Sequence, residues 1–251
     1  MNISSHTIRR VYPNGSDEQK EMLLLTEHRL LLQVNGKKWG SFVCTDTNLM
    51  ELVAGHLLSS GLIEKKEDIR DIRFCETRQK ADVLLRDEVL WAEWAEKEKS
   101  IGTCCPKNEH YAESRDIAPL ERLPAVKCRS EWIFSLAGSF AKESALHKYT
   151  AGTHCCILAA RGEPIFIAED IGRHTALDKA LGYMLLNGIP PENVMLFTSG
   201  RVPVDMVEKV IRAKVGVLIS KSVPTSQSAV LAKQYGLQLY FRAWPDSYDE
   251  L

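Results

Sequence analysis

Residues 194–241, VMLFTSGRVPVDMVEKVIRAKVGVLISKSVPTSQSAVLAKQYGLQLYF, decide the fold. Three short apolar runs, at 194–198, 215–220 and 237–241, read as strands. Between them, 204–214 and 226–235 carry apolar residues at helical spacing. Strands alternating with short helices imply βαβ units, and so a largely parallel sheet covered on both faces. This predicts an α/β domain.

Upstream, the pattern extends in the same style. A helix is predicted over 172–187, with Ala176, Leu177, Ala180, Leu181, Met184 and Leu185 on one face. Strands over 154–160 and 164–168 flank a turn at Arg161-Gly162, and a further helix over 131–147 is broken by Gly152. The first third is mixed. Strands at 30–34 and 39–44 flank Asn35-Gly36, a pair suited to a tight hairpin. Asp46-Thr47 is expected to cap a helix through Leu49, Leu52, Val53 and Leu57 that stops at Gly61, followed by strands at 69–75 and 81–85. Residues 91–123 are charged and irregular. The expected division is therefore 1–100, a mixed α+β domain; 101–125, a linker; and 126–251, the α/β domain.

Of the 251 residues, 32 Lys and Arg against 33 Asp and Glu leave a formal charge of −1, which argues against a bulk nucleic-acid binder. No stretch approaches the roughly 20 apolar residues that span a bilayer. Residues 1–15 lack the apolar segment of a secretory signal. Seven cysteines, an odd number without framework spacing, point to a reduced, cytosolic protein.

Chemistry-bearing residues gather in three predicted strand-to-helix turns: Glu169-Asp170-Ile171-Gly172-Arg173-His174, Thr198-Ser199-Gly200-Arg201, and Ser220 to Ser226 with Lys221 and Ser222. In an open parallel sheet such turns share the edge where ligands bind, and helix N-termini there favour anions. Gly172 and Gly200 would let backbone approach a ligand closely. The expectation is a phosphate-bearing ligand. The competing reading pairs Asp170 with Arg173 or Arg201 and leaves the hydroxyls as helix caps. There is no G-x-G-x-x-G after a first strand and no G-x-x-x-x-G-K, which disfavours ordinary dinucleotide and P-loop sites.

Two groups of thiols differ in kind. Cys104-Cys105 lies in the polar region near Lys107 and His110, where an accessible thiolate would be nucleophilic. Cys155-Cys156 lies in an apolar strand whose alternation would send one side chain into the core. Cys44, Cys75 and Cys128 read as structural singles. A zinc hydrolase built from His154, Cys104 and Cys105 is a third possibility, but it lacks both a C-x-x-C and the expected general acid/base.

Taken together, Glu169-Asp-Ile-Gly-Arg-His-Thr-Ala-Leu-Asp-Lys179, Ser199-Gly-Arg201 and Ser222-Val-Pro-Thr225 resemble the signature of the formate dehydrogenase accessory protein (FdhD/NarQ) family. Thr150-Ala-Gly-Thr-His154, Val34-Asn-Gly36, Cys44-Thr45 and Glu51-Leu-Val-Ala-Gly-His-Leu-Leu58 fall where that family has T-G-G-x-H, V-N-G, C-T and E-L-x-x-G-x-L. The resemblance implies a cytoplasmic sulfur carrier. Such a protein accepts persulfide sulfur from a cysteine desulfurase and passes it to the molybdenum cofactor, in its bis(molybdopterin guanine dinucleotide) form, for formate dehydrogenase. It further implies a cytidine-deaminase-like α/β/α C-terminal domain without a metal of its own, and a homodimer. The cofactor-binding set carried over is His154, Asp170, Gly172, Arg173, His174, Ser199, Gly200, Arg201, Lys221 and Ser222, with Arg242 and Trp244 matching by position.

One departure bears on the chemistry. Where the family has C-G-x-C-G, this chain has Thr103-Cys104-Cys105-Pro106-Lys107, so Cys104 matches the first cysteine and Lys107 stands at the second. Cys104 is then the expected persulfide carrier and Cys105 an accessory thiol; a cofactor-binding chaperone that no longer transfers sulfur is the alternative.

Overall fold

In the computed structural model, residues 3–86, 119–143 and 145–251 are described. A hairpin opens the chain: β1 (Ile3–Val11) pairs antiparallel with β2 (Asp17–Leu25) along its full length. Its residues are mostly polar and exposed, so no buried stripe marks them as strands in the sequence. The predicted hairpin follows as β3 (His28–Val34) and β4 (Lys37–Cys44). Asn35 at φ 47° and Gly36 at φ 78° supply its two left-handed turn positions.

Helix α1 (Leu49–Ser59) comes next, but Asp46-Thr47 does not cap it. The residue at the cap is Asn48, at φ 51° and without a side-chain cap bond. Asp46 instead pairs with Arg78 at 3.5 Å, and the Thr47 hydroxyl bonds that of Thr45 at 3.1 Å. Strands β5 (Ile69–Phe74) and β6 (Lys80–Leu85) complete a four-stranded sheet in the order β4-β3-β6-β5, with β3 and β6 parallel.

The C-terminal part begins with α2 (Ser130–Glu143) and α3 (Ala145–Thr150), which carry the helix expected over 131–147. Then come β7 (His154–Ala160), β8 (Glu163–Asp170), α4 (Arg173–Leu186), β9 (Met195–Thr198) and α5 (Val204–Arg212). The chain continues through β10 (Val217–Ser220), α6 (Ser226–Tyr235) and β11 (Gln238–Phe241), and ends in the short β12 (Asp249–Glu250). The six-stranded sheet runs β12-β11-β10-β9-β7-β8. Only β9, β10 and β11 are mutually parallel; β7 is antiparallel to both β8 and β9, and β12 is antiparallel to β11. The expected largely parallel sheet is thus a mixed one. The tight turn at Arg161 (φ 52°) and Gly162 (φ 82°) leaves no room for a crossover helix between β7 and β8.

Both faces of this sheet are covered. Ile133, Leu136 and Phe140 of α2 pack on Cys155, Ile157, Phe197 and Ile219. Leu177 and Leu181 of α4 and Val207 and Val210 of α5 share the opposite face with Cys156, Leu158, Leu196 and Leu218. Cys155 and Cys156 are therefore both buried, on opposite faces, rather than one in and one out. The second cluster continues through α1 into Leu30, Leu32 and Phe42 of the four-stranded sheet. No helix among the described residues is long and apolar enough to cross a membrane.

Candidate functional site

Strand direction creates the site. Because β7 is antiparallel to both neighbours, its first residue, His154, sits at the edge where β8, β9, β10 and β11 end. Backbone bonds stitch the turns at this edge together. Lys221 N–H donates to the Thr198 carbonyl at 2.9 Å, Val202 N–H to that of Val223 at 3.1 Å, and Arg242 N–H to that of Ser222 at 3.0 Å. The Ser220 hydroxyl donates to the Gly200 carbonyl at 2.9 Å. The turn after β8 meets the turn after β9 at Gly200, where a Cβ would lie 2.9 Å from Arg173 Cβ and 3.4 Å from His154 Nδ1. The expected convergence of the three turns is observed, and glycine at 200 is required by space.

Positive charge concentrates here. Burial lowers the affinity of His154 for a proton, and the neighbouring Arg173, His147, His174 and Arg201 lower it further. Ser199 Oγ accepts the Cys155 N–H at 3.0 Å and lies 3.5 Å from His154 Nδ1. His174 Nε2 meets Asp205 Oδ2 at 2.7 Å. Burial opposes ionisation of Asp205, yet the His174 hydrogen bond and charge hold its carboxyl below the usual range. Lys221 Nζ lies between two rings, 5.0 Å from the centre of Phe140 and 4.8 Å from that of Trp244. Trp244 keeps 46% of its surface exposed.

Two features make the edge chemically suited to an anion. The Arg173 Nε is buried without a hydrogen-bond partner, a state a guanidinium leaves when an oxyanion arrives. Gly200 lets Arg173 and His154 pack closely against the turn after β9, and α4 begins at Arg173 with the positive end of its dipole.

Other candidates have different duties. Asp170 pairs with neither Arg173 nor Arg201. It is fully buried and sits 2.5 Å from Lys179 Nζ, which is equally buried. Its Oδ1 accepts the Thr175 hydroxyl at 2.7 Å and the Gly172 N–H at 3.3 Å. Gly172 itself, at φ −98°, is in ordinary backbone space. Arg242 is turned into an exposed ion pair with Asp249. In the third turn the capping alternative holds, since Thr225 and Ser228 form a reciprocal cap on α6.

A second buried network escaped the sequence reading. The Trp39 indole N–H donates to His56 Nε2 at 3.1 Å, which leaves the imidazole proton on Nδ1, 3.3 Å from Asp178 Oδ2. Asp178 also takes Lys209 Nζ, at 2.7 and 2.5 Å, and the Ser59 hydroxyl at 2.7 Å. Burial alone would raise the Asp178 pKa; the Lys209 charge and His56 hydrogen bond reverse this and keep it ionised. The legible signal was Asp178-Lys179, two adjacent charges flanked by apolar residues in the middle of a helix.

Among the described cysteines, burial pushes the Cys44 thiol up to about 12, helped by the Asp170 charge, and raises that of Cys156 well above its ordinary value. Burial thus disfavours the reactive thiolate at both positions. Cys104, Cys105 and Lys107 lie outside the described residues. Two of the three members of the zinc set, Cys104 and Cys105, are thus not described beside His154; among the described residues no three His, Cys, Asp or Glu side chains gather as a metal site.

Comparison with known proteins agrees with the signature. The FdhD/NarQ family model matches residues 25–248. The sulfur carrier protein FdhD of Bacillus licheniformis is 31% identical over 229 residues, covering 90% of this chain and 86% of the relative. That of Halalkalibacterium halodurans is 32% identical over 222 residues, covering 87% and 82%. A solved structure from Desulfotalea psychrophila, described as a formate dehydrogenase accessory protein, superposes with a TM-score of 0.80 at 24% identity, covering 100% of this chain and 97% of the other. That last likeness speaks for the fold.

Proposed function

The chain belongs to the FdhD/NarQ family, and from that premise we propose that it is a cytoplasmic sulfur carrier for the maturation of formate dehydrogenase. Cys104 receives the sulfur. Its thiolate attacks the outer sulfur of a cysteine desulfurase persulfide; a new S–S bond forms, the donor S–S bond breaks, and the desulfurase cysteine leaves as thiolate. Cys105 serves as an accessory thiol. The recipient is a cargo, the molybdenum cofactor in its bis(molybdopterin guanine dinucleotide) form.

The observation that carries this reading is the cationic edge around His154, Arg173 and Gly200. In the proposal, Arg173, Arg201 and Lys221 hold the phosphates. Gly172, Ser199, Gly200 and Ser222 offer close backbone and hydroxyl approach, His154 and His174 flank the phosphates, and Trp244, with Arg242 nearby, gives the guanine a surface to stack on. The layering of α2, the six-stranded sheet and α4–α6 supports a cytidine-deaminase-like description of this part, used here for binding.

A second reading follows from Lys107 standing at the family's second cysteine: a chaperone that holds the cofactor without carrying sulfur. One experiment separates the two. The protein is incubated with an active cysteine desulfurase and L-cysteine, alkylated, and mapped by mass spectrometry. Sulfane sulfur on the peptide containing Cys104 and Cys105, lost in Cys104→Ala, supports the carrier. Its absence, with guanosine diphosphate (GDP) still bound, supports the chaperone.

A further inference from the structure

We propose that Thr45, at the end of β4 and remote in sequence from the anion edge, is a positioning residue for that edge, acting through Asp170 on the Gly172-Arg173 turn. This rests on the reading of the edge as a phosphate site. Asp170 bridges the two. One carboxylate oxygen faces the turn, accepting the Gly172 N–H at 3.3 Å and the Thr175 hydroxyl at 2.7 Å. The other faces the four-stranded sheet, accepting the Thr45 N–H at 3.2 Å and lying 3.2 Å from the Thr45 hydroxyl. Lys179 closes the set, 2.5 Å from Asp170 and donating to Thr45 Oγ1 at 2.7 Å.

Thr45, Asp170 and Lys179 are all completely buried. Water therefore cannot replace a lost partner, and the orientation of the carboxylate depends on these bonds. The hydroxyl accepts from Lys179 at 2.7 Å and directs its own proton to the end of β8, where Asp170 Oδ2 and the Glu169 carbonyl each lie 3.2 Å away, so it ties the Lys179 charge to that strand end. A carboxylate free to rotate would release the Gly172 N–H. Arg173, the next residue, would then lose its seat against Gly200 and His154.

The test uses the full chain with Thr45→Val and Thr45→Ser. GDP and inorganic pyrophosphate are titrated calorimetrically well below the unfolding midpoint, and the His154 imidazole is titrated by NMR. Loss of one buried hydrogen bond predicts GDP and pyrophosphate affinity about fivefold weaker in Thr45→Val, with Thr45→Ser within about twofold of the parent. Withdrawal of the Arg173 charge also moves the His154 pKa upward in Thr45→Val alone. If Thr45→Val does not fold, Thr45→Ala gives the same readouts without apolar bulk beside the carboxylate. Unchanged affinity and an unchanged His154 titration, with only a lower midpoint, would show a purely structural role and overturn the proposal; so would a serine variant as impaired as valine. If the parent binds neither probe, the phosphate reading itself fails, while the His154 titration still decides whether Thr45 positions Arg173.

Discussion

Gly55 of α1 and Gly182 of α4 face each other across a helix crossing so close that neither position admits a methyl group. A Cβ on Gly55 would lie 1.8 Å from the Asp178 carbonyl oxygen, and one on Gly182 would lie 1.8 Å from that of Glu51. The opposing atoms are backbone, so no side chain can move aside. Gly55→Ala or Gly182→Ala should therefore destabilise the protein by about 3 kcal/mol or more. Urea unfolding of the purified variants, against a surface Ala substitution, measures this.

That crossing places Asp178 against His56 and Lys209, and the same network governs acid stability. Lys209→Met strands a buried carboxylate and should cost about 3–5 kcal/mol. The pH dependence has two parts. The folded pKa of His56 is lowered by burial, so the unfolded chain binds more protons and stability falls as pH drops below the ordinary histidine value of about 6.5. The folded pKa of Asp178 is also lowered, so its contribution is complete above about pH 4 and is lost as pH falls further. Denaturation profiles from about pH 7.5 to 2 should show both losses, and His56→Gln should flatten the first.

At the anion edge, Arg173→Ala should weaken GDP binding at least tenfold, or about 1.4 kcal/mol, while leaving the unfolding midpoint nearly unchanged. Gly200→Ala should weaken it too, because the added methyl would press on Arg173. Calorimetry at two salt concentrations checks the electrostatic origin, since affinity carried by Arg173, Arg201 and Lys221 must fall as salt rises.

Thiol reactivity offers a fourth check. Cys75 is exposed, and the Thr77 hydroxyl hydrogen bond lowers its pKa; Cys44, Cys155 and Cys156 are buried. Native alkylation near pH 8 should label Cys75 within minutes and leave the three buried thiols unlabelled until denaturant is added. Quantitative peptide mass spectrometry reads the difference directly.

What the sequence determined by itself was local. The runs and periodicities of 194–241 yielded every element of that segment to within a few residues, because strand and helix patterns repeat over the few residues that form them. The E-D-I-G-R-H…D-K and S-G-R segments identified the family. The β1–β2 hairpin was not legible, because its largely polar, exposed strands carry no burial pattern. The tertiary structure alone decided partners and directions. Asp170 shares a turn with Arg173 in sequence, yet its carboxylate meets a Thr45 N–H 125 positions away. His154 reaches the edge shared by the three turns only because β7 runs against both neighbours. Such contacts depend on how separate elements pack, and a charge chooses its buried partner by geometry that no short stretch of chain encodes.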